Sequence, residues 1–267
     1  MTTTGSDAAS SFVSHWTFGI HFRLLSGNLT SNYPVMMRSA NSDWARKHPL
    51  WGPLFVRWRN VVAGPPKFPD RLLLWVDAVG SYLVCLGNEV ALGRPATNEA
   101  GPDVPILGDL SRRHAVIRRE GETYWIEAIR PVRIDGRAIE RTVPLADGSV
   151  IQLGDAVRLR FRRPHPLSAT ARLELASRHR TQPSTNAVLL MAEACILGSA
   201  ATSHVVAPTW ASEVVLFRRA DELACRTSAK AAIDGSPISG GRRTLSPRSR
   251  VEGEEFAFSL EPFASSE

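Results

Sequence analysis

Gly93-Arg94, then Asp109-Leu110-Ser111-Arg112-Arg113-His114-Ala115-Val116-Ile117, then Ile134-Asp135-Gly136: these three pieces decide the fold. The apolar alternation around them puts the first two at strand ends. Leu83 to Leu92 reads as β and ends at Gly-Arg, while Ala115 to Ile117 opens a β run that resumes at Tyr124-Trp125-Ile126 after a Glu120-Gly121-Glu122 turn. Asp135-Gly136, set between Val132-Arg133-Ile134 and Ala138-Ile139, is a hairpin signal. Val150-Ile151-x-Leu153 and the strictly alternating Val157-x-Leu159-x-Phe161 close the run, which Pro164 and Pro166 end. Short strands joined by Gly and Asn turns predict an all-β chain folded as an antiparallel β-sandwich.

Gly-Arg after a strand, Ser-x-x-His before the next, and a polar residue plus Gly in a later turn, closed by Leu145-x-Asp147-Gly148-x-Val150-Ile151-x-Leu153-Gly154-Asp155, resembles the forkhead-associated (FHA) family. The resemblance covers Arg71 to Pro166. It implies a β-sandwich that binds phosphothreonine peptides through the loops at one end. Arg94, Ser111 and Arg112 would then be the phosphopeptide-binding residues, with Asp135 touching the peptide backbone, and Gly93, His114 and Gly136 shaping the motif. The residue types suit that chemistry. A phosphomonoester is a dianion with three strong acceptor oxygens, so its site needs donors. Arginine supplies a planar fork, serine a hydroxyl, and glycine lets a loop backbone come close. Asp135 departs from the Asn usual in the family, and Ile134 from a hydroxyl residue. Loss of one charge-assisted hydrogen bond costs roughly 1.5–3 kcal/mol, so the resemblance implies a penalty on affinity here. His114 matches the family's structural histidine, a buried imidazole tying neighbouring loops.

The totals narrow the function classes. The formal charge is +6 and the cations are almost all arginine, with lysine only at Lys47, Lys67 and Lys230. A weak basic excess suits an acidic or phosphorylated partner without requiring nucleic acid, which stays the minor reading. Three cysteines (Cys85, Cys195 and Cys225) without CxxC spacing argue against a disulfide framework or a zinc site and suit a reducing cytoplasm. No apolar run reaches the roughly 18–20 residues of a membrane span, and Ser11 to Gly27 lacks the basic start of a signal sequence. There is no G-x-S-x-G elbow, P-loop or G-x-G-x-x-G, and Asp109, Ser111 and His114 are crowded at one strand start, so neither catalysis nor a cofactor is expected.

The expected organisation is a weakly ordered N-terminal segment (1–68) with a short helix within 42–60, a linker, and Met36 or Met37 as alternative starts, an FHA domain (69–168), a linker (169–186), and a degenerate FHA-like copy (187–263). The copy is read from four echoes in order. Gly198 follows Gly93 by 105 positions, Val214 follows His114 by 100, Ile233 follows Ile134 by 99 and Gly253 follows Gly154 by 99. On these offsets Ser199, Ala211 and Val214 replace Arg94, Ser111 and His114. The function these features predict is a phosphopeptide-binding adaptor whose partner is a phosphorylated protein marked by a Ser/Thr kinase. The alternative is a phospho-independent scaffold.

Overall fold

Every described element is a strand. The computed structural model describes residues 68–96, 101–219, 222–238 and 241–263, all within one unit spanning Val61–Glu267. The expected helix within 42–60 and the alternative starts lie outside the described residues. The first eleven strands are β1 (Arg71–Val76), β2 (Gly80–Cys85), β3 (Glu89–Gly93), β4 (Val104–Leu107), β5 (Ala115–Glu120), β6 (Thr123–Ala128), β7 (Val132–Ile134), β8 (Arg137–Ile139), β9 (Thr142–Leu145), β10 (Val150–Leu153) and β11 (Val157–Arg162). Then follow β12 (Ala171–Leu175), β13 (Arg180–Thr181), β14 (Ala187–Leu190), β15 (Ala194–Gly198), β16 (Val205–Val206), β17 (Val214–Arg219), β18 (Glu222–Thr227), β19 (Ala231–Ile233), β20 (Ser236–Pro237), β21 (Arg242–Thr244), β22 (Arg250–Gly253) and β23 (Ala257–Pro262). The all-β expectation holds.

The strands form three sheets. One of twelve strands runs β20-β19-β22-β23-β1-β2-β14-β12-β11-β10-β7-β8, one of six runs β13-β4-β3-β5-β6-β9, and one of five runs β16-β15-β17-β18-β21. Two hydrophobic cores result. The first joins Leu92, Ile106, Ile117 and Ile126 of the six-stranded sheet to Leu153, Leu159, Phe161 and Leu173 of the large sheet. The second joins Leu197, Val214, Leu216 and Cys225 of the five-stranded sheet to Val251, Phe258 and Leu260. The small sheets lie on opposite faces of the large one, and the central strands show why. In β1, Leu72 and Leu74 enter the second core and Leu73 the first. In β14, Leu189 enters the second core while Val188 and Leu190 enter the first. A strand buried on both faces loses polar alternation and becomes a continuous apolar run. That is the physical content of Leu72-Leu73-Leu74 and Val188-Leu189-Leu190. By contrast β11, covered on one face, keeps its alternation: Val157, Leu159 and Phe161 are buried, while Arg158 and Arg160 are exposed.

This arrangement differs from two consecutive modules. The opening hairpin β1–β2 pairs with β23, so it closes the sheet of the second core. The first core is closed instead by β12, antiparallel to β11, and by β14, antiparallel to β12. Residues 169–186, expected as a linker, therefore carry β12 and β13. Arg172 on β12 also reaches across to the backbone of the second half, donating from Nη1 to the His204 carbonyl at 3.1 Å.

Candidate phosphate-binding loops

β3 and β5 run antiparallel, with Leu92 opposite Ala115. Beyond their ends the ladder continues in the loops. The His114 N–H donates to the Leu92 carbonyl at 2.8 Å, and the Arg94 N–H donates to the Ser111 carbonyl at 3.1 Å. Arg94 and the Ser111-Arg112 loop are thereby held side by side. Gly93 makes this possible: a Cβ there would run into the Arg112 carbonyl oxygen and come within 2.6 Å of that of Ser111. Two backbones packed this closely leave no room for a side chain.

His114 fixes the loop from below. Its ring is buried; Nδ1 accepts the Ser111 N–H at 3.4 Å, and Nε2 donates to the Pro131 carbonyl at 3.0 Å. The partners assign the proton to Nε2. Both nitrogens are committed to backbone, so the imidazole is not placed as a base for the Ser111 hydroxyl. The same Pro131 carbonyl accepts the Gly154 N–H at 3.0 Å, and the His114 carbonyl accepts the N–H groups of Ile129 and Arg130 at 3.1 and 3.0 Å. Four loops therefore meet at one end of the first sandwich, those starting after β3, β4, β6 and β10.

At this end Arg94 and Arg112 are exposed and Ser111 is half-buried. The Arg94 guanidinium and the Ser111 hydroxyl make no hydrogen bond or ion pair with a described residue. Arg113 is paired, its Nη2 lying 2.7 Å from Glu89 Oε1. Arg130, which the sequence reading passed over, is exposed at the same end beside His114. The signal for it was present: a two-strand register that stops at Ala128 and resumes at Val132 leaves Ile129-Arg130-Pro131 as the loop.

Asp135 is a correction. It was expected to touch the peptide backbone, but it lies at the other end of β7 from the His114 loops, three residues and roughly 10 Å of strand from Pro131. Asp135 and Gly136 have φ of 49° and 83°, both left-handed, as a two-residue hairpin turn between paired Ile134 and Arg137 requires. The Asp135 carboxylate is already engaged: Oδ1 accepts the Val150 N–H at 2.8 Å while the Asp135 N–H donates to the Val150 carbonyl at 2.9 Å. Asp135-Gly136 thus shapes a hairpin at the other end of β7 from the loops that His114 ties together.

The second half repeats several pairings. β15, β17 and β18 are consecutive neighbours, as β3, β5 and β6 are, and Asp234 (φ 51°) accepts the Arg250 N–H at 2.8 Å as Asp135 accepts that of Val150. The register corrects the expected offset. Leu92 faces Ala115 and Leu197 faces Val214, so Val214 corresponds to Ala115. Counting back, Glu213 stands for His114 and Trp210 for Ser111. Trp210 is buried against Phe256, ring centroids 5.2 Å apart. Ala211 and Ser199 stand for Arg112 and Arg94, and the Ala211 N–H is taken by Glu255 Oε2 at 3.1 Å. These positions carry no arginine.

Burial raises the thiols of Cys195 and Cys225 to about 12, so both are protonated and inert at neutral pH. Among the described residues, no group of three or more His, Cys, Asp or Glu is arranged to hold a metal ion.

Residues 90–154 match the family described as FHA domain. No curated protein matches the chain. Among solved structures, the Mycobacterium tuberculosis protein EmbR, in complex with a low-affinity phosphopeptide, is 26% identical, covering 35% of this chain and 24% of that one, with a TM-score of 0.27. The chain thus spans about a quarter of the EmbR chain. A structure described by its phosphothreonine-dependent FHA domain interactions is 24% identical, covering 32% of this chain and 88% of that one (TM-score 0.23). The Rv0020c FHA structure is 23% identical, covering 32% and 84% (TM-score 0.20). The matched residues span the loops that His114 ties together, and this part of the first sandwich, residues 90–154, is an FHA domain.

Proposed function

We propose that the first sandwich binds a phosphothreonine segment of a partner protein, with Arg94, Ser111 and Arg112 holding the phosphate and Arg130 adding positive charge from the neighbouring loop. The observation that carries this reading is the bond between the Arg94 N–H and the Ser111 carbonyl, beside an arginine whose guanidinium meets no described residue. A cation held at a loop end without a counter-charge among the described residues suits an external dianion. The FHA family match supports phosphopeptide recognition in general. The finer reading is that of an adaptor acting in the cytoplasm, binding a threonine marked by a Ser/Thr kinase and catalysing nothing itself. The commitment of both His114 nitrogens to backbone supports binding over catalysis.

The second half is, on this reading, a degenerate FHA-like copy. Trp210, Ala211 and Ser199 stand where the first half has its donors, and the Glu255 carboxylate covers a backbone N–H there. That favours a second role for this half, phospho-independent assembly with a partner.

Fluorescence anisotropy with matched phosphothreonine, phosphoserine and unphosphorylated peptides tests the function. We expect binding of the phosphothreonine form and loss of at least about tenfold in Arg94→Ala, since a hydrogen bond to a charged group contributes roughly 1.5–3 kcal/mol. Equal affinity for phosphorylated and unphosphorylated peptides rejects it.

A further inference from the structure

The outer face of the large sheet behind the first core carries a row of arginines that the phosphate loops do not use. Arg158, Arg160 and Arg162 alternate along β11 with the buried Val157, Leu159 and Phe161. Arg133 of β7 lies in the same cross-strand row, since Gln152 pairs with both Arg133 and Arg158. Two acidic residues border the row, and each is engaged. Asp147 pairs with Arg162 at 3.2 Å and Glu174 with Arg172 at 2.5 Å. Arg158 and Arg160 are exposed and form no ion pair or side-chain hydrogen bond with a described residue, and Arg133 makes only a 3.4 Å bond to the Gly136 carbonyl. Like charges on one face of a sheet repel; Glu174 stands opposite Arg160 on β12 but its carboxylate is paired with Arg172, and Arg158 faces the neutral Gln152.

We propose that this face docks an acidic, extended segment of a partner protein. The charge selects an anion and the spacing selects its form. Alternate residues on a strand lie roughly 6.6 Å apart, the same repeat at which an extended chain presents every second carboxylate. Single-stranded nucleic acid is held by aromatic platforms as well as cations. Among the described residues of β7, β10, β11 and β12 the only aromatic is Phe161, which is buried in the core. A second copy of this chain carries +6 itself and is repelled. The row begins beside those loops, Arg133 and Arg158 following the loops at 129–131 and 154–156 by two residues, but its arginines are other than Arg94 and Arg112, so the inference does not rest on phosphate binding.

The test uses the full chain and a labelled, unphosphorylated peptide of alternating glutamate and serine, titrated at about 0.02 M salt, where screening is weak. The expected result is binding that weakens with added salt, falls about tenfold in Arg158→Gln/Arg160→Gln, and is unchanged in Arg94→Ala. Arg158→Lys/Arg160→Lys keeps most of the affinity, and thermal melting of the glutamine variant stays at or above that of the parent, because exposed repulsion is removed. Absence of binding at low salt, equal affinity in the glutamine variant, or tighter binding of an oligothymidylate of equal charge overturns the proposal.

Discussion

A single residue shows how a motif can point to the wrong place. Asp135 precedes a glycine in a turn, so the sequence placed it beside the peptide and assigned it a cost in affinity. In the structure one carboxylate oxygen caps the Val150 N–H, and Asp234 does the same for Arg250. Asparagine offers the same carbonyl-type acceptor and tolerates positive φ equally well. Asp135→Asn should therefore leave phosphopeptide affinity within about twofold, because the residue is roughly a strand length from the phosphate loops. Calorimetric titration of both forms measures this. A tenfold gain would return Asp135 to the binding surface. Other residues were legible for sound reasons. Gly93 and His114 are dictated by close backbone approach and by burial, and both constraints leave marks in a local motif. The echoes set Val214 against His114, one position off the strand register, because alternation repeats every two residues, whereas register depends on which residues pair across strands.

At the scale of elements, the legible and the illegible separate along the same line. Strands with one covered face, such as β11, announce themselves by alternation and were placed almost to the residue. The hairpin β7–β8 was equally plain from Asp-Gly. What could not be read was which sheet each apolar run joins. Leu72-Leu73-Leu74 was recognisable as a strand, but burial on both faces is a property of what packs against it. The structure turns this into a measurable claim. Leu73 is 6% exposed on the first core and Leu74 is fully buried in the second. In a sheet covered on one side, one of two consecutive leucines faces water and its truncation costs little. Here Leu73→Ala and Leu74→Ala should each destabilise the protein by about 2–5 kcal/mol, read from urea unfolding curves. A loss near zero at either position would show that its core is not formed.

For the whole molecule, the consequence is that the two sandwiches share their central strands. The hairpin β1–β2 joins β23 yet also puts Leu73, Leu83 and Cys85 into the first core, which β12 and β14 complete, while Leu189 of β14 enters the second. Sequence boundaries drawn at Pro164–Pro166 follow a real break in the β pattern but cut through the first core, separating Phe161 from Leu173 and Val188. A fragment of residues 69–168 should therefore lack cooperative unfolding and lose most phosphopeptide affinity, as circular dichroism and anisotropy on the fragment will show. A fragment that melts sharply and binds like the full chain contradicts the shared arrangement. The central proposal concerns location: among the described residues, phosphate would bind where His114 gathers four loops. Amide chemical shifts of isotope-labelled full-length protein, followed while a phosphothreonine peptide is added, address it directly. The account predicts that Arg94, the Ser111–His114 loop and Ile129-Arg130 move while Asp135, Gly136, Ala211 and Ser212 stay still. Movement confined to Asp135-Gly136 or to the second half, with Arg94 and Ser111 silent, would contradict it.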